Sequence, residues 1–577
     1  MIKKKILTHL FALMSVSFAG MQSAAVAQPV ADTILTNGKI YTLSGDSAWA
    51  QAVAINDGKI SYVGTAKGAD QLRGANTKIV DLKGKMALPG LNDLHVHPVY
   101  GFTTTLFECS FSGALDADAV QAVVSQCVKE NPDAEWIIGG QWRTDFFLEN
   151  DIPSPRRWLD RISGGKAIIL RDTSFHNHWA NSKALALAGF DRHSEEIPGG
   201  KIVRDEKGEP NGLLYESAAD PVLAKVPDWT DRQYLQAATK SIKAANSFGI
   251  TGMKAAMGSP AILKALKTLD DRGQLSVHTA VATSIIPMLD KGMNLDEAAF
   301  KRLINTHQGK FVRTAYAKVL MDGVPSSSRT AAMLSEYTPA HKGAESNAGM
   351  LLYPPDILGN LIGTLDRLGI TVKVHAAGDR SVRVTLDAIE SARHKNGNSG
   401  LRHEVSHAGF IDPEDIPRFA ELNAVAEVSP YIWFPSVKVE SIQRAVGQRG
   451  QQYWPIRTLM EQGAEVVAGS DWPAGALSSM NPWVGMEAMI SRRNPWGDYP
   501  EDALWPEQGI TLQQALQIYT LNGSRGIGLG EETGSIAVGK RADVIVLNQN
   551  LFEIPTEEIG NTKVVMTLFG GEVVHQQ

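Results

Sequence analysis

Between about residue 89 and residue 475 the chain alternates short apolar runs of strand character with helical stretches, and several of those runs end on a histidine, a lysine or an aspartate. Such alternation predicts repeated βα units around a parallel sheet. Candidate strands end near His95, Gly139, Leu170, Ala256, Ala282, Asp322, His375, His407, Ser429 and Asp471. A (β/α)₈ barrel takes eight. The runs ending at Gly139 and Leu170 fit a regular spacing worst, and both fall between about 99 and 245. Reading that stretch as an insertion after the first barrel strand leaves the required eight. The predicted class is therefore α/β, a (β/α)₈ TIM barrel carrying a long insertion.

The two ends of the chain read differently. Thr33–Leu35, Ile40–Leu43, Ala52–Ile55, Ile60–Val63 and Ile79–Asp81 are short β-like runs separated by turn residues, and Ala542–Leu547, Val564–Phe569 and Glu572–Val574 repeat the pattern. Neither end can bury much core alone, so the economical prediction is one small β-sandwich from 28–88 plus 529–577, with the barrel occupying 89–528. A chain of 577 residues with 43% hydrophobic and 20% charged residues has the material for a large core. Its net charge of −6 excludes the basic surface of a nucleic-acid binder. Ahead of the first run, Lys3 to Lys5, the apolar stretch Ile6 to Ala19 and Ala25-Val26-Ala27 have the layout of a cleavable signal peptide over 1–27. A periplasmic or secreted protein is expected, with no stable membrane insertion. In that oxidising setting the two cysteines, Cys109 and Cys127, either form one local bridge or stay as two buried thiols.

The strand ends carry the chemistry. In Pro89-Gly90-Leu91-Asn92-Asp93-Leu94-His95-Val96-His97, alternation places His95 and His97 on one face, where they could grip one metal ion. Lys318, in Tyr316-Ala317-Lys318-Val319-Leu320-Met321-Asp322, interrupts an apolar run, so it is either functional or ion-paired with Asp322 or another acid. His375 closes Thr371-Val372-Lys373-Val374-His375. His403 and His407 compete for one position, because period two puts both on one face with Val405. Asp471 follows the apolar strand Val466-Val467-Ala468 and is a candidate ligand or base. Histidines, a lysine and an aspartate at the strand ends of one barrel suit Zn²⁺ or a similar divalent ion.

With these residues in place, the chain resembles the amidohydrolase superfamily, and within it the family 3 branch called YtcJ-like. The resemblance rests on Pro89 to His97, Lys318 to Gly323, Ser328-Arg329-Thr330-Ala331-Ala332, Val374 to Arg380, Gly469-Ser470-Asp471-Trp472-Pro473 and Gly534 to Asp543. It covers nearly all of the chain beyond the signal segment. The register given by Pro413-Glu414-Asp415-Ile416 selects His407 over His403, and the chain departs from the family by carrying Glu404 and Ser406 where Arg and Glu are common.

The resemblance implies a distorted barrel and one or two divalent ions. His95, His97 and Asp471 would hold one, His375 and His407 the other, with Lys318 bridging them as a carbamate. It implies His176, Trp142 and Arg380 as substrate-binding candidates. It also implies a homodimer, and hydrolysis of small non-peptide amides such as N-substituted formamides or N-acyl compounds. There a metal-bound hydroxide would attack the carbonyl while Asp471 moves the proton. The alternatives are a deaminase, a lactone or ester hydrolase on the same metals, or a non-catalytic exported regulator.

Overall fold

The computed structural model describes residues 30–577 except 46, 144, 341, 342, 344 and 476–478. The expected signal segment 1–27 lies outside the described residues. At the centre is one sheet of eight parallel strands: β1 (Leu91–Val96), β2 (Ile250–Gly258), β3 (His278–Ser284), β4 (Val312–Leu320), β5 (Thr371–Ala376), β6 (Glu404–His407), β7 (Val425–Val428) and β8 (Glu465–Ala468), each beside the next in chain order. The predicted barrel is therefore the fold. Between β8 and β1 the circle is drawn together past the ladder itself. Ser470 N donates to Asp93 Oδ1 (3.0 Å), Asp471 N to the His95 carbonyl (2.6 Å) and His97 N to the Trp472 carbonyl (2.8 Å). Gly469 permits this approach, since a Cβ there would lie 2.2 Å from the His95 amide nitrogen.

The barrel interior is layered, because residues two apart on a strand share a face. Tyr316, Val425, Val467, Ala280 and Leu529 form an apolar plug. Two residues further along their strands stand Lys318 and Glu427. Glu427 belongs to a buried ionic layer in which Lys254 pairs with Glu404, Lys373 with Glu404 (2.7 Å) and with Glu427, and Glu427 with His95. Two lysines and two glutamates at 0–1% side-chain exposure balance, which is the condition for burying such charges at all. Lys254 also lies 4.3 Å over the Tyr316 ring.

Strands from both chain ends interleave. One six-stranded sheet runs, in spatial order, Glu572–Gln576, Val564–Phe569, Val544–Leu547, Met86–Pro89, Lys39–Ser44 and Ser47–Ala50. The four-stranded sheet beside it is wholly N-terminal, and Leu35, Val53 and Ile55 from it share an apolar cluster with Ile40, Val544 and Leu568 from the other.

After β1 the helix Pro98–Phe107 packs on Asp231–Ser247, and Val96, Val99, Ala237 and Ile242 join one cluster against the barrel wall. Between these helices lies a separate six-stranded sheet that includes Trp136–Trp142, Ala167–Asp172 and Asn177–Ala180, so the runs ending at Gly139 and Leu170 sit outside the barrel. Cys109 and Cys127 are bridged, with Cα atoms 5.9 Å apart, pinning the first strand of this sheet to the helix Ala117–Glu130. Among the described residues no helix is long and apolar enough to cross a membrane.

Candidate metal centre

His95, His97 and Asp471 meet at the mouth of the barrel, with their ligand atoms all within 4.8 Å of one another. Asp471 Oδ1 lies 3.4 Å from His95 Nε2 and 3.3 Å from His97 Nε2. His95 donates its Nδ1–H to Glu427, which leaves the lone pair of Nε2 facing the Asp471 carboxylate. Burial, with Lys318 and Lys373 nearby, keeps the His95 ring well below its ordinary value and hence neutral. Two acceptors facing each other at that distance are resolved by a shared cation, so the donor set fits a divalent ion.

His375 and His407 stand beside this group, their ring centroids 4.4 Å apart, and the His95 ring lies 4.7 Å from that of His407. His375 donates Nε2–H to the Gly323 carbonyl (3.0 Å), so its Nδ1 carries the lone pair. Lys318 is buried nearby, and burial, only partly offset by Asp471 and Glu404, presses its ammonium down to about 8. The ion pair with Asp322, one of the two readings of Lys318 open from sequence, does not form. The Asp322 carboxylate instead accepts from the amides of Ala332, Ala377 and Gly378 and from Ser381 Oγ (2.6 Å), joining the loops that follow β4 and β5. Burial outweighs these bonds and raises Asp322 to about 7. Among the described residues Lys318 has no ion pair, which leaves its amine uncommitted.

The rim is conformationally unusual. His407, Ala408 and Asp471 have φ of 69°, 42° and 56°, in the left-handed region, as do Phe175 (68°) and Glu216 (51°) on the insertion. Non-glycine residues in that region collect where surrounding structure holds a functional geometry. The turn at His407 also separates it from His403, which directly precedes β6. His403 points to the helix layer and donates to Asp366 (3.0 Å), whereas His407 swings to the rim, so the period-two face that joined them ends before His407.

The insertion contributes His176. Asp172 folds the loop, accepting from Ser174 Oγ (2.7 Å) and Asn177 Nδ2 (2.7 Å), and the His176 ring comes to 4.8 Å from that of His375. His176 donates Nδ1–H to Glu216 Oε2 (2.6 Å). Burial works against a charged ring there, but Glu216, with Asp172 and Asp471, holds it above its ordinary value.

One cavity lies at the site, and a second adjoins it through Lys438. The inner one, about 40 Å³, is lined by His176, His375, His407 and Asp471 together with Tyr453 and Lys438. The outer one, about 390 Å³, has Phe111, Phe434 and Trp496 in its wall, and Lys438 lines it too. Trp142 and Arg380, both expected at the substrate, face elsewhere. Trp142 packs on Phe147 in the core of the insertion (centroids 5.2 Å), while its neighbours Gln141 and Arg143 line the outer cavity. Arg380 sits exposed in the first turn of Asp379–Asn396, with its amide donating to the Ala332 carbonyl. Sequence reasoning missed Glu427, Glu216, Asp172 and Lys438. The signal for Glu427 was available, since it is an acid interrupting the apolar strand Val425–Val428.

The model of the amidohydrolase family matches residues 78–575. The chain is 28% identical over 555 residues to Protein LONG AFTER FAR-RED 3 of Arabidopsis thaliana, covering 95% of this chain and 92% of that one. It is 27% identical over 563 residues to the N-substituted formamide deformylase of Arthrobacter pascens, covering 95% and 98%. The solved structure of an uncharacterized metal-dependent hydrolase from Pyrococcus horikoshii superposes with a TM-score of 0.68 at 22% identity, over 91% of this chain and 99% of that one, and shares the fold. A family match spanning the whole barrel and the C-terminal β segment, with histidines, a lysine and an aspartate gathered at the barrel mouth, makes this chain a member of the amidohydrolase family.

Proposed function

We propose that the protein hydrolyses the C–N bond of small non-peptide amides, with N-substituted formamides and short N-acyl compounds first among them. The observation that carries the reading is the neutral His95 lone pair facing Asp471 at the mouth of a barrel. The size of the inner cavity supports a small acyl group. At about 40 Å³ it has room for a few waters' worth of atoms, on the order of 10–15 Å³ each by the same measure. The formamide deformylase relative supports the same choice.

His95, His97 and Asp471 would hold one divalent ion, zinc in our reading. His375 and His407 would hold a second, with Lys318 as a carbamate between them. Such ions supply Lewis-acid polarisation of the carbonyl and acidification of water to a pKa of about 7. The chain's own groups do the rest. Asp471 takes the proton of the attacking water at a carboxylate oxygen. As the new C–O bond matures and the C–N bond breaks, it returns that proton to the departing nitrogen. His176, held in place by its hydrogen bond to Glu216 and lining the inner cavity, would donate toward the carbonyl oxygen when protonated. Export as a periplasmic or secreted protein, with 1–27 removed, is part of the reading, and the Cys109–Cys127 bridge supports it.

The test is purified protein assayed for metal and for turnover of formamides, acylated amino acids and lactones with added Zn²⁺ or Mn²⁺. We expect at least one equivalent of metal, C–N hydrolysis, and loss of turnover by about 10³-fold or more in Asp471→Asn with the thermal midpoint retained. Wild-type rates in that variant, or activity indifferent to chelation, would overturn the assignment.

A further inference from the structure

Lys438 stands in the first turn of the helix Val437–Val446 and lines both the inner and the outer cavity. Among the described residues its ammonium has no ion pair and no hydrogen bond. The other charges lining the outer cavity are paired or lie open to solvent. Arg143 is paired with Glu149, Asp145 is paired with Arg444 and accepts from Ser441 Oγ (2.9 Å), and Asp498 is exposed. A partly buried cation without a partner, facing space, is costly unless an anion joins it. Burial lowers Lys438 from its ordinary value, while Asp471 and Asp172, both close enough to act on it, pull the other way. Beyond it the outer cavity offers aromatic surface, with Phe434 and Trp496 in contact (centroids 5.3 Å).

Three environments thus follow one another: a small pocket at the candidate metal ligands, an uncommitted ammonium at the seam, and a roomy aromatic chamber. We propose that Lys438 is the specificity-determining residue of the site and binds a carboxylate carried next to the scissile bond. The preferred substrates are then N-formyl or short N-acyl amino acids with an aromatic or large apolar side chain. The acyl group enters the inner pocket, the α-carboxylate meets Lys438, and the side chain fills the outer chamber. This order matches the connectivity of such molecules, in which the α-carbon bears both the carboxylate and the side chain one bond from the amide nitrogen. The proposal rests on the C–N hydrolase reading for its chemistry, and on the cavities alone for its binding site.

The experiment compares N-formylphenylalanine with N-(2-phenylethyl)formamide, which differs only by the missing carboxylate, on the metal-loaded wild type, Lys438→Gln and Lys438→Arg. We expect the wild type to favour the carboxylate substrate in kcat/KM. Lys438→Gln should lose about 10- to 100-fold on it, mainly in KM, and far less on the neutral formamide, as loss of a charged hydrogen bond dictates. Lys438→Arg should retain most of the preference. Calorimetric titration of the same proteins with 3-phenylpropanoate and 3-phenylpropanol reads the subsite without turnover, and Lys438→Gln should weaken only the carboxylate. Equal losses on both formamides, or carboxylate binding unaffected by Lys438→Gln, would overturn the proposal. Failure of the wild type to hydrolyse either formamide would instead overturn the proposed function, and the titration would still decide the role of Lys438.

Discussion

His95 has its two ring nitrogens committed in opposite directions, one to Glu427 inside the barrel and the other toward Asp471 at its mouth. Glu427 therefore does two jobs, fixing the tautomer that a metal ligand needs and balancing the buried ammonium of Lys373. Glu427→Gln should leave Lys373 under-compensated and His95 free to turn. The expected cost is about 3–5 kcal/mol of stability and about 10- to 100-fold in metal affinity. Thermal unfolding and titration with Zn²⁺ check it; unchanged affinity would show that Glu427 does not orient His95. Lys318, His375 and Asp471 were legible in the sequence because a polar residue ending an apolar strand is costly unless it has work to do. His407 was not separable from His403 by spacing, since the turn that parts them is a backbone conformation and leaves no periodic trace. Lys438 was illegible for another reason. It lies on an amphipathic helix among ordinary surface residues, and only the cavity around it gives it meaning.

At the scale of elements, the barrel strands were readable because strands covered on both faces are apolar runs. The strand Met86–Pro89 escaped notice because it directly precedes the Pro-Gly of the β1 motif and belongs to a sheet completed from the far end of the chain. The helix Pro482–Ser491 carries a testable burden of its own. It buries Glu487, whose carboxylate accepts from the Gly560 amide (2.7 Å). Burial, reinforced by Glu557 and Glu558, raises that carboxyl from 4.5 to about 7. A carboxyl with a raised folded-state value holds its proton in the native state and loses it in the unfolded one, so its contribution to stability falls as pH rises from about 4.5 to about 7. Glu487→Gln should therefore raise the thermal midpoint relative to wild type at pH 8 and have little effect at pH 4.5. Calorimetry at the two pH values decides it, and an equal shift at both would refute the linkage.

The whole molecule stacks an apolar plug, a balanced ionic layer and a rim of candidate ligands inside one barrel, and a disulfide-pinned insertion brings His176 to that rim. Its class and eight strands followed from sequence alternation. The shape of the insertion did not, because its sheet order depends on contacts between runs distant in the chain. A chain ending at residue 541 would lack three strands of the six-stranded sheet and leave Met86–Pro89 as an edge. We expect it to be insoluble or rapidly cleaved by protease, although every candidate ligand is present; a soluble truncation with the wild-type thermal midpoint would contradict this. Interleaving the two ends has a consequence for synthesis. Met86–Pro89 lacks one of its two neighbours, Val544–Leu547, until the last residues of the chain are made. Completeness of the chain is thereby tied to its folding: an unfinished chain bares the edge of Met86–Pro89 and the apolar face that Val544 and Leu568 would cover, although its candidate ligands are already made.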